Sequence, residues 1–281
     1  MIKKYFELNN GVKIPSIGFG TYKTPDGEMA INAIKKAIEV GYRHMDTAAI
    51  YENEVGVGKG VQLCGVDRAK IFVTSKVWNT ERGYQSTLDA FEKTLQDLGL
   101  EYLDLYLIHW PANAHQFDNW RDINANTWRA MEQLYAAGKI KAIGVSNFLP
   151  HHLESLMQNA TVMPAVNQIE FHPGFTQSEC VKFCFENNIL VEGWRPFGKG
   201  DVFGHEVLKV IAEKHHKSVA QICIRWALQN HVLPLPKSVT PSRIQENFEV
   251  FDFEISSSDM DLISQIDDLG YSGLNPDTVD F

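Results

Sequence analysis

The chain has 281 residues, 44% of them hydrophobic, and a formal net charge of −9. Length and composition suit an ordinary globular core, and the acidic balance argues against a general nucleic-acid binder, whose surface would be basic. A local basic pocket for an anionic ligand stays compatible with that balance. No run approaches the roughly 18 apolar residues of a membrane span, and the opening MIKKYFELNNGVKIP has no apolar signal core. The expectation is a cytoplasmic protein with no membrane partner, in which Cys64, Cys180, Cys184 and Cys223 are reduced thiols.

In chain order, FELNNGVKI places Asn10-Gly11 between two short alternating runs, which predicts a β-hairpin. Short, β-branched apolar runs follow at 17–20, 42–46, 71–77, 103–109, 140–145, 165–170, 189–194 and 232–235. They read as strands buried on both faces. Helical patterns lie between them. EMAINAIKKAIEVG carries Met29, Ile31, Ile34, Ala37 and Ile38 before the stop at Gly41, and STLDAFEKTLQDLG carries Leu88, Phe91, Leu95 and Leu98 before Gly99. TWRAMEQLYAAG and SVAQICIRWALQN follow the same rule.

Eight strand-then-helix units in this length predict an α/β fold, a (β/α)8 TIM barrel preceded by a short N-terminal β-hairpin. No linker-like stretch divides the chain, so residues 1–281 are expected to form a single domain. The rival is an open doubly wound sheet, which should carry G-x-G-x-x-G after its first strand. The nearest cluster, EVGVGKG at 54–60, follows the second strand and lacks that spacing. Its glycines are expected to serve close helix packing. Cys180 and Cys184, four apart on a helix, share a face and read as packing residues.

In a barrel the chemistry sits on the loops after the strands. The second strand ends at Asp46, with Tyr51 in the loop beyond; the third carries Lys76; the fourth ends at His109. Three successive strand ends bring these four to one mouth. A tyrosine with a pKa of about 10 donates its proton slowly. A neighbouring ammonium favours the phenolate and lowers that pKa, and a carboxylate holds the ammonium in place. A histidine can hydrogen-bond the same substrate oxygen. The set suits protonation of an oxygen that is acquiring negative charge, as in a carbonyl receiving hydride. Glu52 and Glu54 are expected only to start the next helix, where the dipole favours acids.

The motifs GFGTY (18–22), DTAAIYENE (46–54), KVWN (76–79), LIHWP (107–111), IGVSNF (143–148), NQIEFHP (167–173) and LPLPKSVTPSRIQEN (233–247) make the chain resemble the aldo-keto reductase superfamily over essentially its whole length. Among its members it looks most like the compact microbial reductases. The resemblance implies reduction of an aldehyde or ketone by NADPH, with Tyr51 as general acid. His109 would orient the carbonyl, and Lys76 and Asp46 would tune and position Tyr51. It also implies that Ser146, Asn147 and Gln168 bind the nicotinamide carboxamide and that Trp194 stacks on the ring, where the family commonly has Tyr.

Gly20, Thr21, Tyr22, Asp46, Pro196, Phe197 and Val239 would line the same NADPH/NADP+ site. Lys237, Ser238 and Arg243 would take its 2′-phosphate and ribose near a helix start, and Glu246 and Asn247 its adenine. Arg195 departs from the Ser of the family's Ser-Pro-Leu-Gly; it could face the pyrophosphate or point outward to a surface acid.

Tyr22, Trp78, His109 and Trp110, with Trp120, would form an aromatic mouth for a small-molecule carbonyl substrate. The short segment 111–127 and the brief tail after Asp268 suggest that it is open. The expected state is a monomer, and no metal is expected. Two other readings are a cofactor-binding redox-sensing protein of the same fold and a metal-dependent hydrolase using His109, His115 and His172.

Overall fold

The structure is a computed structural model that describes residues 3–281. Strands β1 (Tyr5–Glu7) and β2 (Lys13–Pro15) pair antiparallel, Tyr5 opposite Pro15. Gly11 turns the chain between them at φ 82, a left-handed conformation that favours glycine. Eight parallel strands follow in chain order: β3 (Phe19–Gly20), β4 (His44–Asp46), β5 (Phe72–Val77), β6 (Leu103–Ile108), β7 (Ile140–Ser146), β8 (Val166–Glu170), β9 (Leu190–Trp194) and β10 (Leu233–Pro234). The ends meet. Gly18 N–H donates to the Pro234 carbonyl at 3.1 Å and Gly20 N–H to the Pro236 carbonyl at 3.0 Å. A side chain at Gly18 would strike Leu235 and His44, so glycine permits this closure. The predicted hairpin and all eight predicted strands are present, most of them a residue or two shorter than predicted.

Helices α1 (Glu28–Val40), α2 (Glu54–Leu63), α3 (Tyr84–Leu98), α4 (Trp120–Ala136), α5 (Pro150–Met157) and α6 (Ser178–Glu186) each follow one strand from β3 to β8. Two helices, α7 (Glu206–His215) and α8 (Val219–Gln229), separate β9 from β10; α9 (Pro241–Phe248) and α10 (Ser257–Ser264) come after it. The glycines of α2 are packing devices, as expected. A Cβ on Gly56 would meet Ala30, one on Gly60 would meet Ile34, and one on Gly58 would sit 1.9 Å from the Leu98 carbonyl oxygen. Helix α4 starts seven residues before the predicted TWRAMEQLYAAG segment.

Strand alternation sorts the side chains. Met45, Val73, Tyr106, Ile108, Ile143, Val145, Ile169 and Val191 point outward into the large core under the helices. The opposite set faces the barrel interior and changes character along the axis. At one end Phe72, Leu105, Ala142, Val166 and Leu233 pack with Leu8 and Ile14 of the hairpin segment into an apolar plug. One or two pleats further along, the same faces carry His44, Asp46, Thr74, Lys76, Gln168 and Glu192, all buried. The plug seals one end of the barrel, and the polar layer forms the floor of the other.

Candidate active site

Lys76 is 0% exposed. Its Nζ donates to Asp46 Oδ1 at 2.8 Å, Asp46 Oδ2 at 2.9 Å and the Thr47 carbonyl at 2.8 Å. Burial alone would favour loss of its proton; Asp46, Tyr51 and Glu192 outweigh that and hold the ammonium above its ordinary value. Tyr51 closes a 3₁₀ turn at Ala49–Tyr51, and its ring centre lies 5.1 Å from Lys76 Nζ. His109 meets that ring edge-on at 5.6 Å. The structure therefore brings Asp46, Tyr51, Lys76 and His109 together.

The expected lowering of the Tyr51 pKa does not hold in the free protein. Burial pushes the phenol up to about 12; Lys76 pulls it down, and Asp46 adds a further upward push. Burial also lowers His109 well below the usual imidazole range, with Lys76 and Arg82 adding to the effect, so its ring is neutral. The expectation for the two glutamates also needs correction. Glu52 ends the 3₁₀ turn with φ 55, outside the helix. Glu54 does open α2, but it is buried, accepting from Ser75 Oγ at 2.5 Å and Thr94 Oγ1 at 3.3 Å.

A cleft of about 660 Å³ opens above the floor. Of the residues expected at the cofactor, Gly20, Tyr22, Asp46, Ser146, Asn147, Gln168, Trp194, Arg195, Pro196, Phe197 and Lys237 line it. Gln168 Nε2 donates to Asp46 Oδ2 and Glu192 Oε2. Asn147, held at φ 63, donates to the His109 carbonyl and accepts from Trp194 Nε1 at 2.9 Å, which fixes the indole over the cleft. Thr21 is not on the wall: its N–H and Oγ1 both donate to the Asp46 carbonyl.

Ser238 and Val239 lie beyond β10, outside the cleft lining, and Arg243, Glu246 and Asn247 lie on α9. Ser242 occupies the first turn of α9.

Arg195 lines the cleft with φ 54 and makes no ion pair among the described residues. Its Nη1 is buried without an acceptor, so it does not reach out to a surface acid. Lys23, Lys199 and Lys237 line the same cleft, and Asp46, the one acidic side chain among its described lining residues, is matched by Lys76. A cationic wall on a chain of net charge −9 fits an anionic dinucleotide. Lys23 and Lys199 were missed, although each lies within two residues of a predicted lining residue.

Tyr22, Trp78, His109 and Trp110 line the mouth of the cleft. Trp120 does not. It is buried as the first residue of α4, its ring 5.3 Å from that of His152. The brief tail does not leave the mouth open: Phe281 stacks on Trp78 at 5.7 Å and meets Trp110 edge-on at 5.4 Å. Ile50 and Leu274 complete the apolar wall. No spacing in the sequence marks Phe281.

His109, His115 and His172 are not brought together. Among the described residues the one cluster with metal-ligand spacing is His151, His152 and Asp277. There His152 Nδ1 accepts the Leu149 N–H, which puts the imidazole proton on Nε2, facing Asp277. Both imidazoles thus approach the Asp277 carboxylate, His151 Nε2 at 3.0 Å and His152 Nε2 at 3.4 Å, and tie the tail to α5.

The sequence profile described as the Aldo/keto reductase family matches residues 16–268. Glyoxal reductase of Bacillus subtilis (strain 168) is 50% identical over 280 residues, covering 100% of this chain and 99% of that protein. The 9,11-endoperoxide prostaglandin H2 reductase of Trypanosoma cruzi (strain CL Brener) is 46% identical, covering 96% and 94%. The crystal structure of a point mutant of Gox0644 in complex with NADPH superposes with a TM-score of 0.92 at 42% identity, covering 100% of both chains. No helix among the described residues is long and apolar enough to cross a membrane. With profile, relatives and barrel in agreement, the chain belongs to the aldo/keto reductase family.

Proposed function

We propose that the chain reduces aldehydes and ketones to alcohols with NADPH, and that Tyr51 is the general acid. The observation that carries this reading is the buried Lys76–Asp46 pair beside a protonated Tyr51, at the base of a cleft whose wall also carries Lys23, Arg195, Lys199 and Lys237. When bound, NADPH supplies the hydride. Tyr51 keeps its proton up to about pH 12 in the free protein and delivers it to the carbonyl oxygen. The Lys76 ammonium stabilises the phenolate left behind. Neutral His109 hydrogen-bonds the same oxygen and orients it. In the reverse direction the Tyr51 phenolate is the base.

Trp194 offers its face to the nicotinamide, and Ser146, Asn147 and Gln168 hold the carboxamide. Arg195 takes the pyrophosphate, answering its unpartnered Nη1. Lys237, Ser238 and Arg243, with the amino end of α9, take the 2′-phosphate and favour NADPH over NADH. Glu246 and Asn247 meet the adenine. Tyr22, Trp78, Trp110 and Phe281 form a compact aromatic mouth suited to small aldehydes and α-dicarbonyls. Similarity to a glyoxal reductase points to the same substrate class. Every residue needed lies on one chain, which suits a monomer.

The test is loss of NADPH absorbance with a panel of small aldehydes, glyoxal and keto-sugars. Turnover of glyoxal and other short aldehydes is expected. Tight NADPH binding with no turnover across the panel would overturn the reading in favour of a cofactor-binding redox sensor.

A further inference from the structure

One carboxylate in the polar floor is left without a task by the proton chemistry. Glu192, on β9, is 0% exposed, one pleat below Trp194. Its Oε2 accepts from Gln168 Nε2 at 2.7 Å, and the same nitrogen donates to Asp46 Oδ2 at 2.9 Å. Its Oε1 has no partner, and His44 Nε2 stands 3.9 Å away. His44 is itself bonded to Thr74 Oγ1 at 2.9 Å. A buried carboxylate normally has a cation against it. Lys76, the nearest cation among the groups that act on Glu192, directs its Nζ to Asp46 and the Thr47 carbonyl.

The two carboxylates use both hydrogens of the Gln168 amide. Turned over, the amide would lose both donated bonds and face its oxygen onto the Asp46 carboxylate, so this orientation is the one held. The free end of the side chain is Oε1, and Gln168 lines the cleft.

Resting on the proposed NADPH reading, we propose that Glu192 is a positioning residue: it locks the Gln168 carboxamide so that its oxygen accepts the carboxamide N–H of the bound nicotinamide. The lock works without adding a second negative charge to the floor. Burial pushes the Glu192 carboxyl up to about 8, and Asp46 pushes it further the same way, against Gln168 and Lys76. His44, held neutral by burial and by Lys76, contributes no charge. At neutral pH Glu192 is an uncharged acid, and Asp46 remains the carboxylate that pairs with Lys76.

The experiment measures binding of NADP+ and of its 3-acetylpyridine analogue, whose acetyl group lacks the amide N–H. Wild type, Glu192→Leu and Glu192→Gln are compared, with NADPH against NADH as a control. Wild type is expected to favour NADP+ over the analogue by at least fivefold. Glu192→Leu should reduce that ratio to within twofold of unity and leave the NADPH-to-NADH ratio unchanged. Glu192→Gln, which keeps an acceptor for Gln168, should restore the wild-type ratio.

The apoprotein gives a readout that needs no cofactor. A carboxyl whose folded value is raised contributes stability that is complete below about pH 4.5 and is lost as pH rises through about 8. Glu192→Gln should therefore gain melting temperature relative to wild type steadily across that window. An equal loss of affinity for both nucleotides in Glu192→Leu, or no loss at all, would overturn the proposal alone. Failure of wild type to bind NADP+ would overturn the functional reading and this proposal together.

Discussion

Lys76 Nζ lies 2.8 and 2.9 Å from the two carboxylate oxygens of Asp46, and both side chains are shut off from solvent. Removing one member of such a pair leaves the other charged and unmatched, a cost of about 3–5 kcal/mol. Lys76→Met is therefore expected to lower unfolding stability by that amount in urea. Lys76→Met with Asp46→Asn should recover at least half of the loss. Equal instability of the single and double variants would show that the pair is not the source.

Tyr51 tests the chemistry apart from the packing. Tyr51→Phe keeps the ring that meets His109 at 5.6 Å and Tyr22 at 5.1 Å and removes only the hydroxyl. General-acid contributions run to about 10²–10⁴-fold. Turnover is expected to fall at least about 100-fold, with the NADPH dissociation constant within about twofold of wild type, because the loss is confined to the transition state. Steady-state kinetics and a fluorescence titration provide both numbers. Turnover within tenfold of wild type would remove Tyr51 from the role.

Asp46, Lys76 and His109 were legible because each stands where a buried apolar strand gives way to polarity, and Tyr51 because it lies in the short loop just beyond Asp46. Asp46 and Lys76 lie on β4 and β5, His109 follows β6 directly, and the barrel inference places their ends on one rim. The start of α4 was not legible, for a physical reason. Its buried face carries Asn124 and Thr127 as well as Trp120, Trp128 and Met131. Apolar periodicity passes over polar residues, and Asn124 is buried only because it pairs with both backbone groups of Ala112. The burial of Glu54 and of Glu192 is hidden from sequence in the same way. A carboxyl in sequence reads as solvated, and only tertiary neighbours reveal its burial. Phe281 obeys no period; its place follows from where the tail is pinned, Asn113 Nδ2 donating to the Pro276 and Val279 carbonyls and Asn79 Nδ2 to that of Phe281.

Lys237 is half-buried on the cleft, and its closest polar contact is the Lys23 carbonyl at 3.5 Å. Burial lowers its pKa in the free protein, so a phosphate placed against it would strengthen its charged state. Lys237→Ala is expected to weaken NADPH binding at least tenfold and NADH binding less than threefold. Isothermal titration with both nucleotides decides it. Equal losses would rule out a 2′-phosphate contact.

Phe281 sits between Trp78 and Trp110, so its ring limits what the mouth admits. In Phe281→Ala, kcat/KM for bulky aromatic aldehydes relative to that for glyoxal should rise at least threefold. NADPH affinity should stay within about twofold, since Phe281 stacks on the mouth and not on Trp194. An unchanged ratio would mean that the tail ring does not gate substrate size.

Glu54 offers a test of buried charge away from the chemistry. Burial raises its carboxyl to about 7; the Ser75 and Thr94 hydroxyls and Lys93 pull down, and Asp97 pushes up. The folded value exceeds the ordinary 4.5. Its contribution to stability is therefore complete below pH 4.5 and is lost as pH rises through 7, because the unfolded chain releases the proton first. The difference across the window is up to about 3 kcal/mol. Gln at this position accepts from Ser75 and carries no charge at any pH. Unfolding of wild type and Glu54→Gln in urea at pH 5, 6, 7 and 8 should give curves that separate with rising pH in favour of the variant, then run parallel above 7. Parallel curves from pH 5 onward would mean that Glu54 ionises in the folded protein as readily as in the unfolded chain. The Ser75 and Thr94 bonds, and not a proton, would then be what compensates its burial.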